Sequence, residues 1–415
     1  MRKIKNGLIL AGGDSTRFWP LGEKNFISFL GKPLILYQIE SLSKYCEKIT
    51  IIVSKANAVA INRLIENLVR QLKCQVVTQK DVDGQAGAII SAKNLVRGET
   101  LIVNANDIYN YSVLDNITKF SPPKNKIIFL GKKLNEYFPG GYFKFDDDDK
   151  LKEIIEKPGK DRVPSMIYNL VVHYYSEFDN LIRAIESVKT QEDNHYELAI
   201  NKLLSSSIDR DYFLCDGYWV TLKYPWHLLT MLKWFLNSIK TSKIFSSAHI
   251  SKKAFISGPV IIGNNVRVGD FVKITGPVFI GNNSVIGDYS LVRESQIGED
   301  CLIGSYTEVA RSYIGNKVFL HRNYIGDSIL DDKVMIGAQA VTANLRFDGE
   351  TVSNTNLSKL GAIIGQESKI GVNATLAPGI KIGKKTWIGP GEVVTHDLKD
   401  KVYLDNGNEK INLKV

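Results

Sequence analysis

The first half of the chain alternates two kinds of apolar pattern. Short runs of aliphatic residues predict buried strands, and stretches with an apolar residue every three or four positions predict amphipathic helices. The predicted strands cover residues 7–10, 48–53, 75–78, 101–105 and 126–130, and the predicted helices cover 34–45, 56–73 and 228–239. This alternation predicts an α/β domain over residues 1–235, Rossmann-like, with a mixed and mostly parallel sheet.

A different pattern begins near residue 247, where an aliphatic residue recurs every six positions. A helix repeats every 3.6 residues and a strand every two, so this period needs another geometry. Three short strands per turn would stack such residues into internal columns, which predicts a parallel β-helix. A β-sandwich with regular turns is the alternative, and two long regular series count against it. The matching positions are Ile262, Val268, Ile274, Ile280, Ile286, Val292, Ile364, Ile370, Leu376, Ile382, Ile388 and Val394.

The six-residue repeat is interrupted at three places. Its register shifts by one residue between Val292 and Ile297 and again near Ile314, and residues 345–363 follow no repeat. The last interruption predicts a loop that leaves the solenoid, and such loops often carry binding sites. The predicted organisation is a first domain over 1–235, a linker helix over 236–246, a β-helix over 247–400 and a C-terminal tail over 401–415.

The composition excludes several classes of protein. The 415 residues carry a net charge of +9, but Lys and Arg are spread evenly, which favours small phosphorylated substrates over nucleic acid. No run of about 18 apolar residues predicts a membrane span, and no signal peptide precedes the first strand. The four scattered cysteines have no metal-binding spacing, which predicts free thiols and a cytoplasmic location.

A glycine-rich turn directly follows the first predicted strand. Residues 10–21 have the sequence LAGGDSTRFWPL, and Lys24 follows them. Unpaired backbone N–H groups in such a turn point at a bound anion, and glycine lets the anion approach. Arg17 adds a planar cation suited to phosphate oxygens. An ordinary strand-turn is the alternative, but the order Arg17, Pro20 and Lys24 favours a loop that binds nucleotide phosphates.

On these residues the chain resembles the sugar-phosphate nucleotidylyltransferases, over residues 5 to about 235. The family motif is L-[AG]-G-G-x-G-T-R-x-x-P-L followed by a lysine, and residues 31–34 (GKPL) also match the family. Ser15 replaces the third motif glycine. The resemblance implies that a sugar 1-phosphate oxygen attacks the α-phosphorus of a nucleoside triphosphate (NTP), and that pyrophosphate leaves. Catalysis would rest on positioning two polyanions and on neutralising their charge.

The resemblance also implies roles for individual residues. Arg17 would hold the leaving pyrophosphate, and Lys24 would bridge the α-phosphate and the sugar phosphate. A solvated surface lysine is the alternative for Lys24. Residues 79–86 resemble the family's base-binding segment, with Gln85 in place of a threonine. The implied nucleotide-binding residues are Leu10, Ala11, Gly12, Gly13, Gln79 and Gly84.

Asp107 follows the predicted strand 101–105, and sites in α/β proteins form at the carboxyl ends of parallel strands. A carboxylate there suits Mg²⁺, which shares its coordination shell with substrate phosphates. A turn or capping role is the alternative. The family's W-x-D-V-x-Y-P-W motif aligns with residues 219–226, where Thr221 replaces a second metal-binding Asp. The sugar-binding residues that the family's motifs imply are Gly141, Glu156, Lys157 and Asn169.

The six-residue repeat resembles the left-handed β-helix of hexapeptide acyltransferases, and locally that of bifunctional sugar-1-phosphate nucleotidylyltransferase/acetyltransferases. Their H-x-x-Y-x-G-D motif matches residues 321–327. This resemblance implies that His321 is the general base for a sugar amine, with acetyl-CoA as co-substrate. The lysines of the family's loop fall at Glu350 and Ser353, and Lys359 is nearby but out of register. The further acetyl-site residues implied are Arg293, Arg311, Tyr324 and Asn344.

These observations predict a two-domain enzyme that makes a nucleoside diphosphate sugar and pyrophosphate, with N-acetylation of an amino-sugar 1-phosphate as a second activity. Small molecules are the expected substrates, with no nucleic acid and no membrane, and the β-helix is expected to form a homotrimer. Two alternatives stay open: an acetyl-CoA-dependent acyltransferase only, and a non-catalytic scaffold that binds nucleotide sugars. The nucleotide base and the sugar also stay open. Trp19 matches the R-x-W-P-L pattern of mannose-1-phosphate guanylyltransferases, whereas the β-helix points to glucose or N-acetylglucosamine 1-phosphates.

Overall fold

The computed structural model divides the chain into two compact units. One unit joins Met1–Asp14 with Ile35–Val220, and the other joins Ser15–Leu34 with Thr221–Val415. The structure describes residues 2–13, 15–69, 73–80, 84–119, 125–192, 194–352 and 355–411. Asp14, Ser353 and residues 81–83 of the base-binding segment lie outside the described residues, as does the end of the predicted tail. Among the described helices, none is long and apolar enough to cross a membrane.

A mixed sheet organises the first unit. The strands up to residue 221 are β1 (Ile4–Ala11), β2 (Ser28–Phe29), β3 (Lys32–Pro33), β4 (Cys46–Val53), β5 (Cys74–Thr78), β6 (Thr100–Asn104), β7 (Asp107–Tyr109), β8 (Lys126–Lys133), β9 (Gly141–Phe145), β10 (Leu151–Glu156), β11 (Ile167–Tyr175), β12 (Asp209–Leu214) and β13 (Trp219–Thr221). The sheet order is β10-β9-β11-β6-β1-β4-β5, with β8 beside β11 and β12 beside β8. Strands β6, β1, β4 and β5 run parallel, whereas β11 is antiparallel to its neighbours. The predicted α/β class is confirmed.

Helices cover the sheet and bury its apolar side chains. They are α1 (Leu34–Tyr45), α2 (Ala58–Val69), α3 (Gly84–Ser91), α4 (Leu114–Lys119), α5 (Phe178–Glu186) and α6 (His195–Leu204). The next helix, α7 (His227–Asn237), belongs to the second unit. Short 3-10 turns occur at Thr16–Phe18, Lys24–Phe26, Tyr111–Val113 and Lys160–Arg162. Leu8, Ile102 and Phe129 of the strands share one buried core with residues of α3, α5 and α6. Burial of this face holds the carboxyl ends of β1 and β6 in place, where the candidate site begins.

The second unit contains a β-helix of three parallel sheets. Its strands are β14 (Lys243–Ile244), β15 (His249–Ile250), β16 (Phe255–Ser257), β17 (Val260–Ile262), β18 (Arg267–Val268), β19 (Lys273–Thr275), β20 (Val278–Ile280), β21 (Val285–Ile286), β22 (Leu291–Arg293), β23 (Gln296–Ile297), β24 (Leu302–Ile303), β25 (Glu308–Ala310), β26 (Tyr313–Ile314), β27 (Phe319–Leu320), β28 (Tyr324–Gly326), β29 (Ile329–Leu330), β30 (Met335–Ile336), β31 (Val341–Thr342), β32 (Ile363–Ile364), β33 (Lys369–Ile370), β34 (Thr375–Leu376), β35 (Lys381–Ile382), β36 (Trp387–Ile388), β37 (Val393–Val394), β38 (Val402–Asp405) and β39 (Asn408–Ile411). Successive strands from β14 to β37 belong to the three sheets in turn. Each strand from β14 to β34 therefore pairs in parallel with the strand three places later in the chain. This arrangement is typical of the left-handed β-helix, and the predicted fold is confirmed.

The interior of the β-helix is a column of aliphatic side chains. All twelve positions of the two six-residue series are buried, at most 4% exposed. Ile262 pairs with Ile280, 18 residues further on, whereas Ile280 pairs with Ile297 after 17 residues and Ile314 with Leu330 after 16. The predicted shifts of register are therefore turns of the solenoid that are one or two residues shorter.

The connection between the two domains differs from the sequence prediction. The linker helix predicted over residues 236–246 is wrong, because α7 ends at Asn237 and β14 already pairs with β17. The open end of a parallel sheet presents unpaired backbone N–H and C=O groups. Lys243 and Ile244 form hydrogen bonds with these groups as a strand, whereas the backbone of a helix could not. The loop predicted over 345–363 is present, since its described residues hold no helix or strand before β32.

Candidate functional site

The glycine turn after β1 lies against the base-binding segment. A Cβ at Gly12 would overlap the carboxamide of Gln79, whereas a Cβ at Gly13 would meet nothing within 4 Å. Gln79 Nε2 in turn donates to the Gly84 carbonyl oxygen at 3.2 Å, at the start of α3. The structure thus brings together Gly12, Gln79 and Gly84, three of the residues predicted to bind nucleotide, and Leu10 and Ala11 end the strand that leads to them.

Asp107 begins β7, three residues after β6 ends, and it is buried. Its backbone carbonyl accepts a hydrogen bond from the Gln38 carboxamide. Burial raises the pKa of the Tyr168 hydroxyl well above its ordinary value, and the charges of Asp107 and Glu156 raise this pKa further. Both carboxylates therefore lie within electrostatic range of Tyr168, which precedes the candidate sugar residue Asn169 in β11.

The four predicted sugar-binding residues lie together at the ends of β9, β10 and β11. Gly141 pairs with Glu156, and a Cβ at Gly141 would lie 3.3 Å from Glu156 Oε2 and 3.5 Å from Asn169 Cβ. Lys157 follows with a positive φ of 45° and its Nζ is 3.5 Å from Glu156 Oε1. Glycine at 141 thus leaves room for polar groups to converge, and such convergence suits recognition of sugar hydroxyls.

A buried histidine that no motif contains orients Asn169. His173 Nε2 lies 2.9 Å from Asn169 Oδ1, and His173 Nδ1 lies 2.8 Å from the Tyr196 hydroxyl. Burial lowers the pKa of His173 to about 3, so the ring is neutral. With Asn169 Oδ1 accepting, Nε2 carries the ring proton, and the Asn169 NH₂ group is directed away from the histidine.

Arg17 and Lys24 belong to the second unit, on two short turns between β1 and α1. Glu23 ties these turns together, since its Oε1 accepts from Ser15 Oγ at 3.0 Å and from Asn25 Nδ2 at 3.1 Å. Lys24 Nζ lies 5.5 Å from the centre of the Phe18 ring. The pKa of His227 is lowered to about 4. Burial is the largest cause, and the charge of Lys24 also contributes.

The aligned Y-P-W motif is part of the same unit. The rings of Tyr224 and Trp226 stack with their centres 4.7 Å apart and at 7° to each other. His227 Nδ1 lies 3.1 Å from the carbonyl oxygen of Thr221, the residue in the place of the second metal-binding Asp. The stacked rings and this contact fix the start of α7 and the backbone of Thr221.

Three of the predicted acetyl-site residues gather around Asp327. Arg311 donates to both carboxylate oxygens, from Nε at 2.7 Å and from Nη2 at 2.6 Å. Asn344 Nδ2 bonds the same carboxylate and lies 3.3 Å from the Tyr324 hydroxyl. Arg293 is instead paired with Glu308, at 2.8 Å. Asp327 is the residue that sequence reasoning missed here, although it closes the H-x-x-Y-x-G-D motif.

A cavity of about 360 Å³ opens beside this cluster. Arg311 and Asp327 line it together with Lys233 of α7 and Lys359 of the loop before β32. Lys359 therefore lies at the predicted site although its position in the sequence is out of register. Glu350 is exposed on the same loop.

His321 lies elsewhere on the β-helix. It is exposed in the turn after β27 and lines a second cavity, of about 710 Å³, with Tyr306, Arg322, Met335 and Lys369. Within one chain the structure does not bring the predicted base into the cavity that Arg311 lines.

The fold and these clusters define a nucleotidyltransferase domain joined to a hexapeptide β-helix. Family models agree: the nucleotidyl transferase model matches residues 6–222, the GMPPB C-terminal domain matches 238–351, and the hexapeptide repeat of succinyl-transferase matches 361–396. The chain belongs to the nucleotidyl transferase family. The predicted family and the predicted enzyme class are confirmed.

Similar proteins span nearly the whole chain. The bifunctional protein GlmU of Methanococcus vannielii is 30% identical, over 98% of this chain and 99% of that protein. The bifunctional sugar-1-phosphate nucleotidylyltransferase/acetyltransferase of Sulfurisphaera tokodaii is 34% identical, over 94% of this chain and 97% of that protein. A crystal structure of a putative glucose-1-phosphate thymidylyltransferase from Bacillus anthracis has a TM-score of 0.50 at 18% identity, and it covers 56% of this chain and 95% of that chain. That structural likeness supports the fold of the first domain.

Proposed function

We propose that this enzyme joins a sugar 1-phosphate to the nucleotidyl group of an NTP and releases pyrophosphate. The observation that carries the proposal is the arrangement of the first unit. Gly12 of the glycine turn lies against the Gln79 side chain, and Asp107, which follows β6, lies within electrostatic range of Tyr168, the neighbour of Asn169. The relatives' names, which include sugar-1-phosphate nucleotidylyltransferase, support the same reaction.

The residues fit Mg²⁺ as the metal. Asp107 is a buried carboxylate at the carboxyl end of β6, and Mg²⁺ is usually held by one or two carboxylates together with substrate phosphates and water. Among the described residues, no three His, Cys, Asp or Glu side chains form a metal cage, so the phosphates would supply most of the ligands. Bound there, Mg²⁺ would neutralise charge on the phosphates.

The chain's own residues then position the two anions. A sugar-phosphate oxygen forms a bond to the α-phosphorus, and the bond from this phosphorus to the pyrophosphate oxygen breaks. Arg17 would offset charge on the leaving pyrophosphate, and Lys24 would hold the α-phosphate and the sugar phosphate at contact. The Glu156 carboxylate and the Asn169 amide would hold sugar hydroxyls.

Pyrophosphate release tests this reaction. We expect release with one pairing from a grid of common NTPs plus dTTP against glucose-, mannose-, glucosamine- and N-acetylglucosamine 1-phosphates, in the presence of Mg²⁺. Lys24→Met and Asp107→Asn should each lower kcat/KM by about 100-fold, since each removes charge stabilisation from the reacting phosphates. Lys44→Met, on the exposed end of α1, is the matched control. A blank grid with folded protein would overturn the proposal.

We further propose that the β-helix N-acetylates an amino-sugar 1-phosphate with acetyl-CoA. Lys233, Arg311 and Lys359 line one cavity, and cations of this kind suit a sugar phosphate. Asn344 adjoins the cavity, because it bonds Asp327 of the lining and contacts the Tyr324 hydroxyl. Since His321 lines another cavity, a second copy of the chain would have to supply the base, which favours a homotrimer through the β-helix. The four cysteines that the structure describes as free and buried support a cytoplasmic location.

A further inference from the structure

The segment that carries Arg17 and Lys24 is built onto the β-helix. Residues 15–34 form one compact unit with residues 221–415, although they are far apart in the sequence. Within this segment the side chains of Phe18, Leu21 and Phe29 are buried. This segment contacts side chains of α7, β20, β23, β26, the turn after β29 and the turn before β38.

Three stacked residues of one β-helix sheet meet the hairpin β2–β3. Phe279, Gln296 and Tyr313 are paired neighbours on successive turns of the solenoid. Phe29 of the hairpin stacks on Phe235 of α7, with ring centres 4.6 Å apart, and meets the Tyr313 ring edge-on at 6.2 Å. The hairpin therefore packs on the outer face of this sheet, along the row formed by these three residues.

Gln296 holds the hairpin by its backbone. Its Oε1 accepts from the Leu30 N–H at 2.8 Å, and its Nε2 donates to the Ser28 carbonyl at 2.8 Å. The side chain is 2% exposed. A primary amide can imitate the edge of a neighbouring strand in this way, because it offers one donor and one acceptor side by side. An alkyl side chain at 296 would leave both backbone groups without their partner.

Carboxylates of the β-helix hold the two turns that carry the cations. Asp331 Oδ2 accepts from the Gly22 N–H at 3.2 Å, two residues before Lys24. Asp400 Oδ1 accepts from Trp19 Nε1 at 2.8 Å, two residues after Arg17. Asp332 and Lys384 are the charged groups that act on Asp331, and burial raises its pKa to about 6.

We infer that Gln296 and Asp331 are positioning residues for nucleotidyl transfer: the β-helix, through them, holds Arg17 and Lys24 in their reacting geometry. The inference rests on the roles proposed for these two cations. It gives the β-helix a function in the chemistry of the other domain, beyond any acetyl transfer. Displacing a reacting group by about 1 Å can cost about 100-fold in rate, so small losses of anchoring should be measurable.

Two series of variants of the full-length enzyme test this inference. Gln296→Ala and Gln296→Met both remove the donor and the acceptor, and Met keeps most of the side-chain volume, so kcat should fall by about tenfold or more in both variants if the two hydrogen bonds are what positions the cations. Asp331→Ala should lower kcat similarly, whereas Asp331→Asn keeps an acceptor for Gly22 and should restore most of it. Asp288→Ala is the matched control, because Asp288 accepts a backbone N–H from Asp270 within the β-helix itself, at 2.8 Å.

Hydrogen exchange without substrates gives a second measurement. In Gln296→Ala the Leu30 amide should exchange faster, and in Asp331→Ala the Gly22 amide should, while thermal melting of the β-helix stays near wild type. Unchanged exchange, or unchanged kcat with faster exchange, would overturn the inference. If the wild-type enzyme turns over no substrate pair, the proposed reaction fails and the inference fails with it, and the exchange data would then describe only a structural contact.

Discussion

At the scale of single residues, the candidate sugar site depends on side chains outside every motif. Asn169 alone could rotate its amide freely, but His173 and Tyr196 hold it in one orientation. Both partners are buried, and a buried polar group that loses its partner costs about 1–3 kcal/mol. The network therefore stabilises the first domain and fixes the orientation of the Asn169 amide before a substrate binds.

Replacing His173 by leucine should damage both stability and sugar binding. His173→Leu leaves Asn169 Oδ1 and the Tyr196 hydroxyl without this partner, so we expect the free energy of unfolding to fall by about 2–4 kcal/mol. The KM for the sugar 1-phosphate should rise while that for the NTP changes less. Urea unfolding and initial rates measure these effects. His249→Leu, at an exposed position, is the control, and equal effects of the two changes would contradict the role of the network.

Two histidines, the buried His173 and the half-buried His227, should make the protein sensitive to mild acid. The pKa of His173 is lowered to about 3 and that of His227 to about 4, each chiefly by burial. Below about pH 6.5 the unfolded chain binds protons that the folded chain does not, so stability falls as the pH drops from about 6.5 towards 4. Each histidine should contribute about 1 kcal/mol per pH unit in this range. His227→Gln should show a shallower loss than wild type in urea unfolding at several pH values, and a slope equal to wild type would refute this account.

Adjacent glycines in the first turn offer a matched comparison. Gly12→Ala places a methyl group where the Gln79 carboxamide lies, so this flexible side chain must move and lose its hydrogen bond to Gly84, and we expect the free energy of unfolding to fall by about 1 kcal/mol. Gly13→Ala meets open space and should change stability by less than about 0.5 kcal/mol. Chemical unfolding without nucleotide measures both. Equal losses in the two variants would show that the turn is not packed against Gln79.

At the scale of elements, the β-helix is stabilised by its internal column and not by the propensity of its two- and three-residue strands. Isolated strands of that length are not stable, and each turn of the solenoid is stabilised by the turns above and below it. The loop before β32 interrupts the column without breaking it, since Leu330 still pairs with Ile364.

Two neighbouring valines of β37 test the column. Val394 is fully buried, whereas Val393 is 67% exposed. Val394→Ala should lower the free energy of unfolding by about 2 kcal/mol, because it removes buried methyl groups and leaves a cavity. Val393→Ala should change it by less than about 0.5 kcal/mol. Thermal and urea unfolding give the comparison, and a larger loss at 393 would place that side chain in an interface.

At the scale of the whole molecule, the two cavities of the β-helix separate the predicted base from the predicted phosphate ligands. His321 lines one cavity and Arg311 lines the other. An acetyl site that needs both must combine two copies of the chain.

Mixed oligomers test this requirement. His321→Ala and Arg311→Ala should each lack acetyl transfer when expressed alone. Co-expressed, they should regain about a quarter of the wild-type activity, since random assembly gives an intact pair at about one interface in four. Mixing after separate purification, without exchange of subunits, is the control. No recovery in verified mixed oligomers would mean that each chain carries its own site or none.

The periodic patterns of apolar residues determined the fold of each half of the chain. An aliphatic residue every six positions fits only a solenoid interior, and all twelve such residues are buried there. The glycine turn, Asp107 and the Glu156-Lys157 pair are local motifs whose chemistry depends on residues close in the chain. For this reason they could be recognised without a structure.

Only the tertiary structure decided which distant residues meet. The placement of residues 15–34 on the β-helix, the support of Asn169 by His173 and the position of Lys359 beside Arg311 join segments with no shared periodicity. Two residues of the linker predicted as a helix, Lys243 and Ile244, form a strand instead, because the open end of a sheet offers them hydrogen bonds. Such contacts depend on packing across long sequence separations, and a local pattern of apolar and polar residues carries no information about them.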